Sequence, residues 1–334
     1  MKKYTICFFL RKSSFGENFS LEKYFHELIK NHYNKKFIFK LKICPVLSKG
    51  LFRRLYIMFW AYFNQGDINH VCGDINFLSI ILKKKTVLTI ADNYSLIRLN
   101  GIKRILYFIF WIKLPLLKCL RIISISQKTK NEIIKYFPQY KEKISVIDIC
   151  VQDIFKENKK KNDYNNIKKV LIIGTGINKN FYNAISALSK INCEVLIIGI
   201  LDKQKKLFLI KLGIKYKNYV NLTDVDVYKI YCRSDLLLFA SLYEGFGMPI
   251  LEAQATGRPV VASKLQPFLY VGGKGALYIN PYSVSSIRSA VKKIIFNSKF
   301  RKKLVNKGFK NIERFHVRPI LQKHYDCYNE LIKN

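Results

Sequence analysis

No CxxC pair and no Cys/His cluster occurs anywhere in the 334 residues. Eight cysteines (Cys7, Cys44, Cys72, Cys119, Cys150, Cys193, Cys232 and Cys327) are too few for a disulfide scaffold at this length. They read as reduced, mostly buried residues of a cytosolic protein, and their spacing argues against a structural zinc site. No apolar run reaches the roughly 18–20 residues of a transmembrane helix. The most apolar stretch, Ile105–Leu117, is interrupted by Lys113 and Pro115. The opening run Tyr4–Leu10 is short, ends at Arg11 and lacks a small-x-small cleavage site, so it reads as a buried first strand rather than a signal peptide. No repeat of about 20–50 residues is visible.

Negative charge is the scarcest commodity. Asp and Glu number 22 against 59 Lys and Arg, a net charge of +37. Residues 1–150 hold 27 basic and 9 acidic residues (+18) and the remainder is +19, so the excess is no tail. Such an excess favours an anionic partner: phosphorylated substrates, a phospholipid surface or nucleic acid. Heavy use of Lys, Ile, Asn, Phe and Tyr, as in AT-rich genomes, is a second source of it. With 49% hydrophobic and 14% aromatic residues the chain buries a sizeable core, and its length suits two domains of roughly 150–180 residues.

Apolar, β-branched runs alternate with helical stretches. In the first half the strand candidates are Tyr4–Leu10, Phe37–Ile43, Ile68–Val71, Thr86–Ile90, Ile122–Ser126 and Ile144–Ile147. Helices are expected over Leu21–Asn31 after Ser20 and over Gln127–Tyr136 after Ser126, with the serines as N-caps. The stretch 152–168 is polar, charged and Asn-rich, a linker composition. The alternation restarts with a strand Lys169–Ile173, a helix Phe181–Ile191 and strands at Val195–Ile198, Leu236–Ala240, Val260–Ala262 and Leu277–Ile279. Repeated βαβ units imply parallel sheets covered on both faces, hence two α/β domains with a cleft between them.

One segment carries chemistry: Leu236–Ser263, LLLFASLYEGFGMPILEAQATGRPVVAS. A buried strand runs into a loop with Gly245 and Gly247, Pro249 stands where a first helical residue is expected, and Gly257 ends the helix. The glycines let a ligand approach the backbone, and the helix start supplies free N–H groups and a positive dipole end, an arrangement suited to a diphosphate. Glu244 on the loop and Glu252, expected in the first helical turn, stand at the same mouth. Carboxylates there must face hydroxyl groups, such as a ribose and a sugar.

Glu244-Gly-Phe-Gly-Met-Pro-Ile-Leu-Glu252, with Ser241-Leu242-Tyr243 before it and Gly257-x-Pro259-Val260-Val261-Ala262-Ser263 after it, resembles the E-x7-E motif of retaining GT-B glycosyltransferases of family 4. Val170–Thr175 followed by Asn178-Lys179-Asn180 is similar to that family's strand, Gly-Thr and Arg-Lys-Asn segment, and Ile122–Lys130 to its strand-and-serine segment, with Ser126 matching. The resemblance implies an α/β GT-B architecture: two Rossmann-like doubly wound domains facing each other across a cleft. These would be an acceptor-binding domain over 1–150, a linker over 151–168, a nucleotide-sugar-binding domain over 169–318, and a helix within 319–334 packing back on the first domain.

The resemblance further implies a transferase that moves a sugar from a UDP- or GDP-linked donor to a saccharide or lipid-linked acceptor in bacterial surface polysaccharide synthesis (O-antigen, capsule or lipooligosaccharide). Glu252 would hold the ribose diol and Glu244 a hydroxyl of the donor sugar. Lys179, Gly174, Thr175 and the backbone at Gly245, Phe246, Gly247 and Met248 would receive the diphosphate, without a metal or further cofactor. Gly16, in the reduced loop Ser13–Glu17, matches a glycine-rich loop at the diphosphate. Asp92 would position the donor sugar, or else cap the following helix. In Thr89-Ile90-Ala91-Asp92 the family's histidine is replaced by Ala91, which keeps open a second reading, a nucleotide-sugar-binding homologue with weak or partner-dependent catalysis.

Gly174-x-Gly176 lacks the third glycine of a dinucleotide fingerprint. Two glutamates on one loop-helix unit fit a nucleotide sugar better than a glycoside hydrolase, and no nucleic-acid-binding module is present. The histidines His26, His32, His70, His316 and His324 stand at no metal spacing and read as structural or solvated. Leu51–Phe63 and Ile102–Leu120 mix Trp60, Trp111 and several Phe with Arg53, Arg54, Lys103, Arg104, Lys113 and Lys118. They suit interfacial helices on anionic lipid, which would make the protein cytoplasmic and peripheral on the inner face of a plasma membrane.

Overall fold

The computed structural model describes residues 2–12, 20–158 and 169–333. The chain divides into two units, Met1–Cys150 with His316–Asn334, and Val151–Phe315. Each is built on one sheet of six parallel strands among the described residues. In the first unit these are β1 (Tyr4–Leu10), β2 (Phe37–Ile43), β3 (Ile68–Val71), β4 (Lys85–Ile90), β5 (Arg121–Ser124) and β6 (Ile144–Val146), in the order β2-β1-β3-β4-β5-β6. In the second they are β7 (Lys169–Ile173), β8 (Glu194–Ile198), β9 (Lys215–Tyr219), β10 (Leu236–Phe239), β11 (Val260–Ser263) and β12 (Ala276–Ile279), in the order β12-β11-β10-β7-β8-β9. The α/β class and doubly wound sheets expected from the βαβ alternation are present.

Strands buried on both faces are continuous apolar runs, as parallel sheets require. Ile6–Leu10, all buried, lie in β1 between β2 and β3. The one strand not anticipated, β9, has the sequence KYKNY and mixed exposure. It is an edge strand, so its apolar signal is diluted by lysines facing water.

Helix starts follow local chemistry. Ser126 accepts from Thr129 N–H and caps Gln127–Tyr136, Asp202 accepts from Lys205 N–H, and Thr223 with Asp226 forms a capping box. The run Gly101–Lys118 is helical throughout, with a π turn at Phe108–Lys113. Pro115 has no N–H to give the Trp111 carbonyl, and the Asn76 side-chain amide donates to that carbonyl instead, at 2.8 Å.

Two boundaries need correction. Composition suggests a linker over 152–168, and the resemblance one over 151–168, but Val151, Gln152 and Phe155 are buried in the second unit. Phe155 packs edge-on against Tyr231, ring centroids 5.6 Å apart, and this one apolar anchor outweighs its polar neighbours. Residues 159–168 lie outside the described residues. The final helix spans Val317–Lys333 rather than starting at Pro319, because proline is tolerated in a first helical turn. It is part of the first unit, where Tyr325 stacks on Phe37 and three hydrogen-bonded His–Tyr pairs hold it. These are His70 Nδ1 with Tyr328 (2.7 Å), His324 Nε2 with Tyr24 (2.7 Å) and His32 Nδ1 with Tyr325 (2.8 Å).

Candidate active site

In the second unit the direction of sheet growth reverses between β7 and β10, and ligands of doubly wound folds bind at the carboxyl ends of such a pair. Gly174 follows β7, and the loop bearing Glu244 follows β10. Gly174 has φ +84°, and an added Cβ would stand 2.7 Å from Lys179 Cε, so only glycine lets the lysine fold back over the strand end. Lys179 closes the 3-10 turn Ile177–Lys179, which is tied to the loop by Leu242 N donating to Asn178 O (2.7 Å) and Asn178 Nδ2 donating to Tyr243 O (3.0 Å). Across this junction Lys179 Nζ forms an ion pair with Glu244 Oε1, both side chains about a fifth exposed (22% and 18%). The ammonium also lies 5.7 Å from the Phe239 ring centroid.

The helix Met248–Ala255 begins after Gly247, whose φ of +116° makes the sharp entry, and the chain turns again at Gly257 (φ +74°). Phe246 and Met248 are buried, Phe246 edge-on to Phe315 at 6.0 Å, so a ligand can meet only their backbone. The first N–H groups of a helix lack carbonyls four residues back and sit at its positive end. Gly245 is buried on the same loop.

Because the helix starts at Met248, Glu252 is its fifth residue and lies in the second turn, not the first. It is oriented by Tyr231, a residue without any local sequence signal. The Tyr231 hydroxyl donates to Glu252 Oε2 at 2.8 Å and to Pro249 O at 3.2 Å. Burial, reinforced by the Glu252 charge, pushes the Tyr231 phenol well above its usual range, so it stays a proton donor. Thr175 Oγ1 donates to Ile200 O, and its methyl packs at Gly199. That proton is therefore committed within the protein, and the hydroxyl braces the turn.

Asp92 belongs to the first unit. Its Oδ1 accepts from Tyr94 N at 2.8 Å, an Asx turn, while Asn93 occupies the N-cap position of helix Tyr94–Arg98. Asp92 and Ala91 line a cavity of about 280 Å³ in that unit. Ser126 is buried as a helix cap, and Gly16 lies outside the described residues. Among the described residues, no group of three or more His, Cys, Asp or Glu is placed to hold a metal ion, and no helix is long and apolar enough to cross a membrane.

Two Rossmann-like units of six parallel strands form the GT-B architecture, and the second has glycine turns and the Lys179–Glu244 pair at its switch point. Residues 153–311, just under half of the chain, match the model of the family described as glycosyl transferases group 1. The chain is similar to the O-antigen chain mannosyltransferase RfbU of Salmonella typhimurium, 28% identical over 225 residues, covering 65% of this chain and 62% of that protein. It is also similar to the O-antigen chain mannosyltransferase B of Escherichia coli, 31% identical over 102 residues, covering 30% of this chain and 26% of that one. The chain thus spans less than two thirds of either relative's length. Among solved structures, Anabaena Alr3699/HepE in complex with UDP-glucose has the same fold, with a TM-score of 0.79 over 98% of this chain and 100% of that one at 17% identity.

Proposed function

We propose that the protein is a retaining, metal-independent hexosyltransferase that moves a sugar from a UDP- or GDP-linked donor to a hydroxyl of a saccharide or lipid-linked acceptor in bacterial surface polysaccharide synthesis. The observation that carries this reading is the Lys179–Glu244 pair bridging the carboxyl ends of β7 and β10. It puts a cation where a diphosphate needs one and a carboxylate where a sugar hydroxyl needs an acceptor. The two O-antigen mannosyltransferase relatives support the same substrate class.

In this scheme Glu252, held by Tyr231, accepts from the ribose diol, and Glu244 accepts from a hydroxyl of the donor sugar. Lys179 and the N–H groups at the start of helix Met248–Ala255 stabilise negative charge as the bond from the anomeric carbon to the diphosphate breaks. The leaving phosphate oxygen takes the acceptor's hydroxyl proton while the acceptor oxygen bonds to the anomeric carbon on the same face, retaining configuration. Lysine and helix dipole supply the positive field, so no metal or further cofactor takes part. The protein acts peripherally on the inner face of the membrane. A second reading, donor binding with weak or partner-dependent catalysis, is favoured by Ala91, which places only a methyl group in the 280 Å³ cavity.

The test is calorimetric titration of UDP-, GDP- and ADP-linked sugars against the wild type and Glu252→Ala. One nucleotide class should bind saturably, and the variant should lose about tenfold or more in affinity, as expected for removing hydrogen bonds to a charged group. No binding by any donor would overturn the transferase reading. Binding without turnover in a single-turnover assay would select the second one.

A further inference from the structure

The amino edge of the first sheet, opposite the strand ends followed by Asp74 and Asp92, holds a cavity of about 310 Å³. Small-molecule pockets start at about this size, roughly 300 Å³. Thr5 of β1, Lys40 and Lys42 of β2, Gln65 and Asp67 before β3, and Lys84 before β4 line it. Parallel register sets Lys40 beside Cys7 and Lys42 beside Phe9. Both lysines therefore share the sheet face on which Phe9 meets Trp60 of helix Leu51–Phe63, ring centroids 5.9 Å apart.

The cavity is basic without a matching acid. Lys40 and Lys84 are exposed, and neither has an ion-pair partner among the described residues. Asp67 is the one carboxylate in the lining; its Oδ2 accepts from Thr5 N at 2.7 Å, and its Oδ1 has no partner among the described residues. Burial raises the pKa of the Cys7 thiol despite the three lysines around it, so the thiol adds no negative charge.

Helix Leu51–Phe63 ends at this cavity, and bare carbonyls at a helix end repel anions. Here they are occupied. Ala61 O accepts from Asn64 N (3.1 Å), Trp60 O from Asn64 Nδ2 (2.9 Å) and Tyr62 O from Gln65 Nε2 (2.7 Å). The same two amides hold the lysines: Lys42 Nζ donates to Asn64 Oδ1 at 2.9 Å, and the Lys83 and Lys84 N–H groups donate to Gln65 Oε1 at 2.9 and 3.1 Å. Gly66 presses the loop onto β1, where an added Cβ would stand 2.6 Å from Thr5 O.

We propose that this cavity is a second ligand site, for a small soluble phosphate ester that carries hydroxyl groups, such as a hexose phosphate. The three ammonium groups receive the phosphate as point charges, and Asp67 Oδ1 accepts from a hydroxyl. A bare anion would leave Asp67 opposed to it, and a neutral sugar would leave the lysines uncompensated. The chain of a lipid would find only Phe63 as a large apolar side chain in the lining. Lys179 and Glu244 belong to the other unit, so the ligand here is an effector and not a reactant. Its binding stabilises the first unit, because the lysines are brought together only by the folded sheet.

Calorimetry in a phosphate-free buffer of low ionic strength tests this, with glucose 6-phosphate, inorganic phosphate, sulfate and glucose as probes. Glucose 6-phosphate should bind best. Lys40→Gln with Lys84→Gln, both exposed positions, should weaken it about tenfold, whereas Lys179→Met should leave it unchanged. Asp67→Asn keeps an acceptor for Thr5 N–H and removes the charge. Inorganic phosphate should then gain affinity, and the advantage of glucose 6-phosphate over it should shrink. Equal binding of sulfate and glucose 6-phosphate would overturn the ester as ligand. Binding lost in Lys179→Met and kept in the Lys40 and Lys84 variant would overturn the location. Lysine-dependent binding to phosphatidylglycerol vesicles with none to glucose 6-phosphate would overturn the soluble source, and no binding of any probe would overturn the whole proposal.

Discussion

Replacing Lys179 with methionine keeps the side chain's length and removes its charge. If the ammonium stabilises the departing diphosphate, loss of one preorganised donor costs about 10²–10³ in kcat, or about 2.7–4 kcal/mol. The structure adds a second effect. Glu244, about a fifth exposed, has Lys179 as its ion-pair partner. Lys179→Met leaves that carboxylate uncompensated beside the diphosphate and adds repulsion to the lost attraction. Glu244→Gln in the Lys179→Met background should therefore restore part of the affinity for a nucleoside diphosphate, with a coupling of about 0.5–3 kcal/mol. The fold should notice little, because a partly exposed pair contributes only about 0–1 kcal/mol net. Calorimetry with the nucleoside diphosphate and steady-state turnover across the four proteins of the cycle measure both effects. Wild-type affinity in Lys179→Met, or a double variant no better than Lys179→Met, would refute the argument that this pair is the diphosphate seat.

Two further outcomes follow from buried contacts. Tyr231→Phe removes the 2.8 Å bond to Glu252 while keeping the ring packed, so donor KM should rise about tenfold with kcat changed far less; an unchanged KM would mean that Glu252 does not need Tyr231. His324 is fully buried, and burial lowers its pKa to about 3, so it stays neutral in the folded protein while the unfolded chain takes up a proton below about 6.5. Its contribution is therefore whole above about pH 6.5 and shrinks as the pH falls toward 3, by about 1.4 kcal/mol per pH unit. Urea denaturation at pH 7.5 and pH 5 should show this loss in the wild type and a shallower one in His324→Gln; equal slopes would refute it.

Much of the fold is legible along the chain because its signals are local. Val170–Ile173 and Leu236–Phe239 are apolar runs bounded by turn residues, and Gly247, Pro249 and Gly257 punctuate one short helix. Glu244 and Glu252 stand out through that punctuation. Thr175 shows the limit, since its hydroxyl is turned inward to Ile200 by a contact 25 residues away. Asp92 shows it too, forming an Asx turn while Asn93 takes the cap position.

What the sequence by itself determined is the βαβ rhythm, the glycine turns and the types of charged residue at the strand ends, because φ preferences, apolar periodicity and capping act within a few residues. Only the tertiary structure decided which strand ends meet. Parallel pairing sets β7 beside β10 and so brings Lys179 to Glu244 across 65 positions, and helix packing aims Tyr231 at Glu252. The His–Tyr contacts that hold the final helix span up to 300 positions. Such pairings rest on which surfaces bury each other, a free energy that belongs to the assembled layers and to no single segment of the chain.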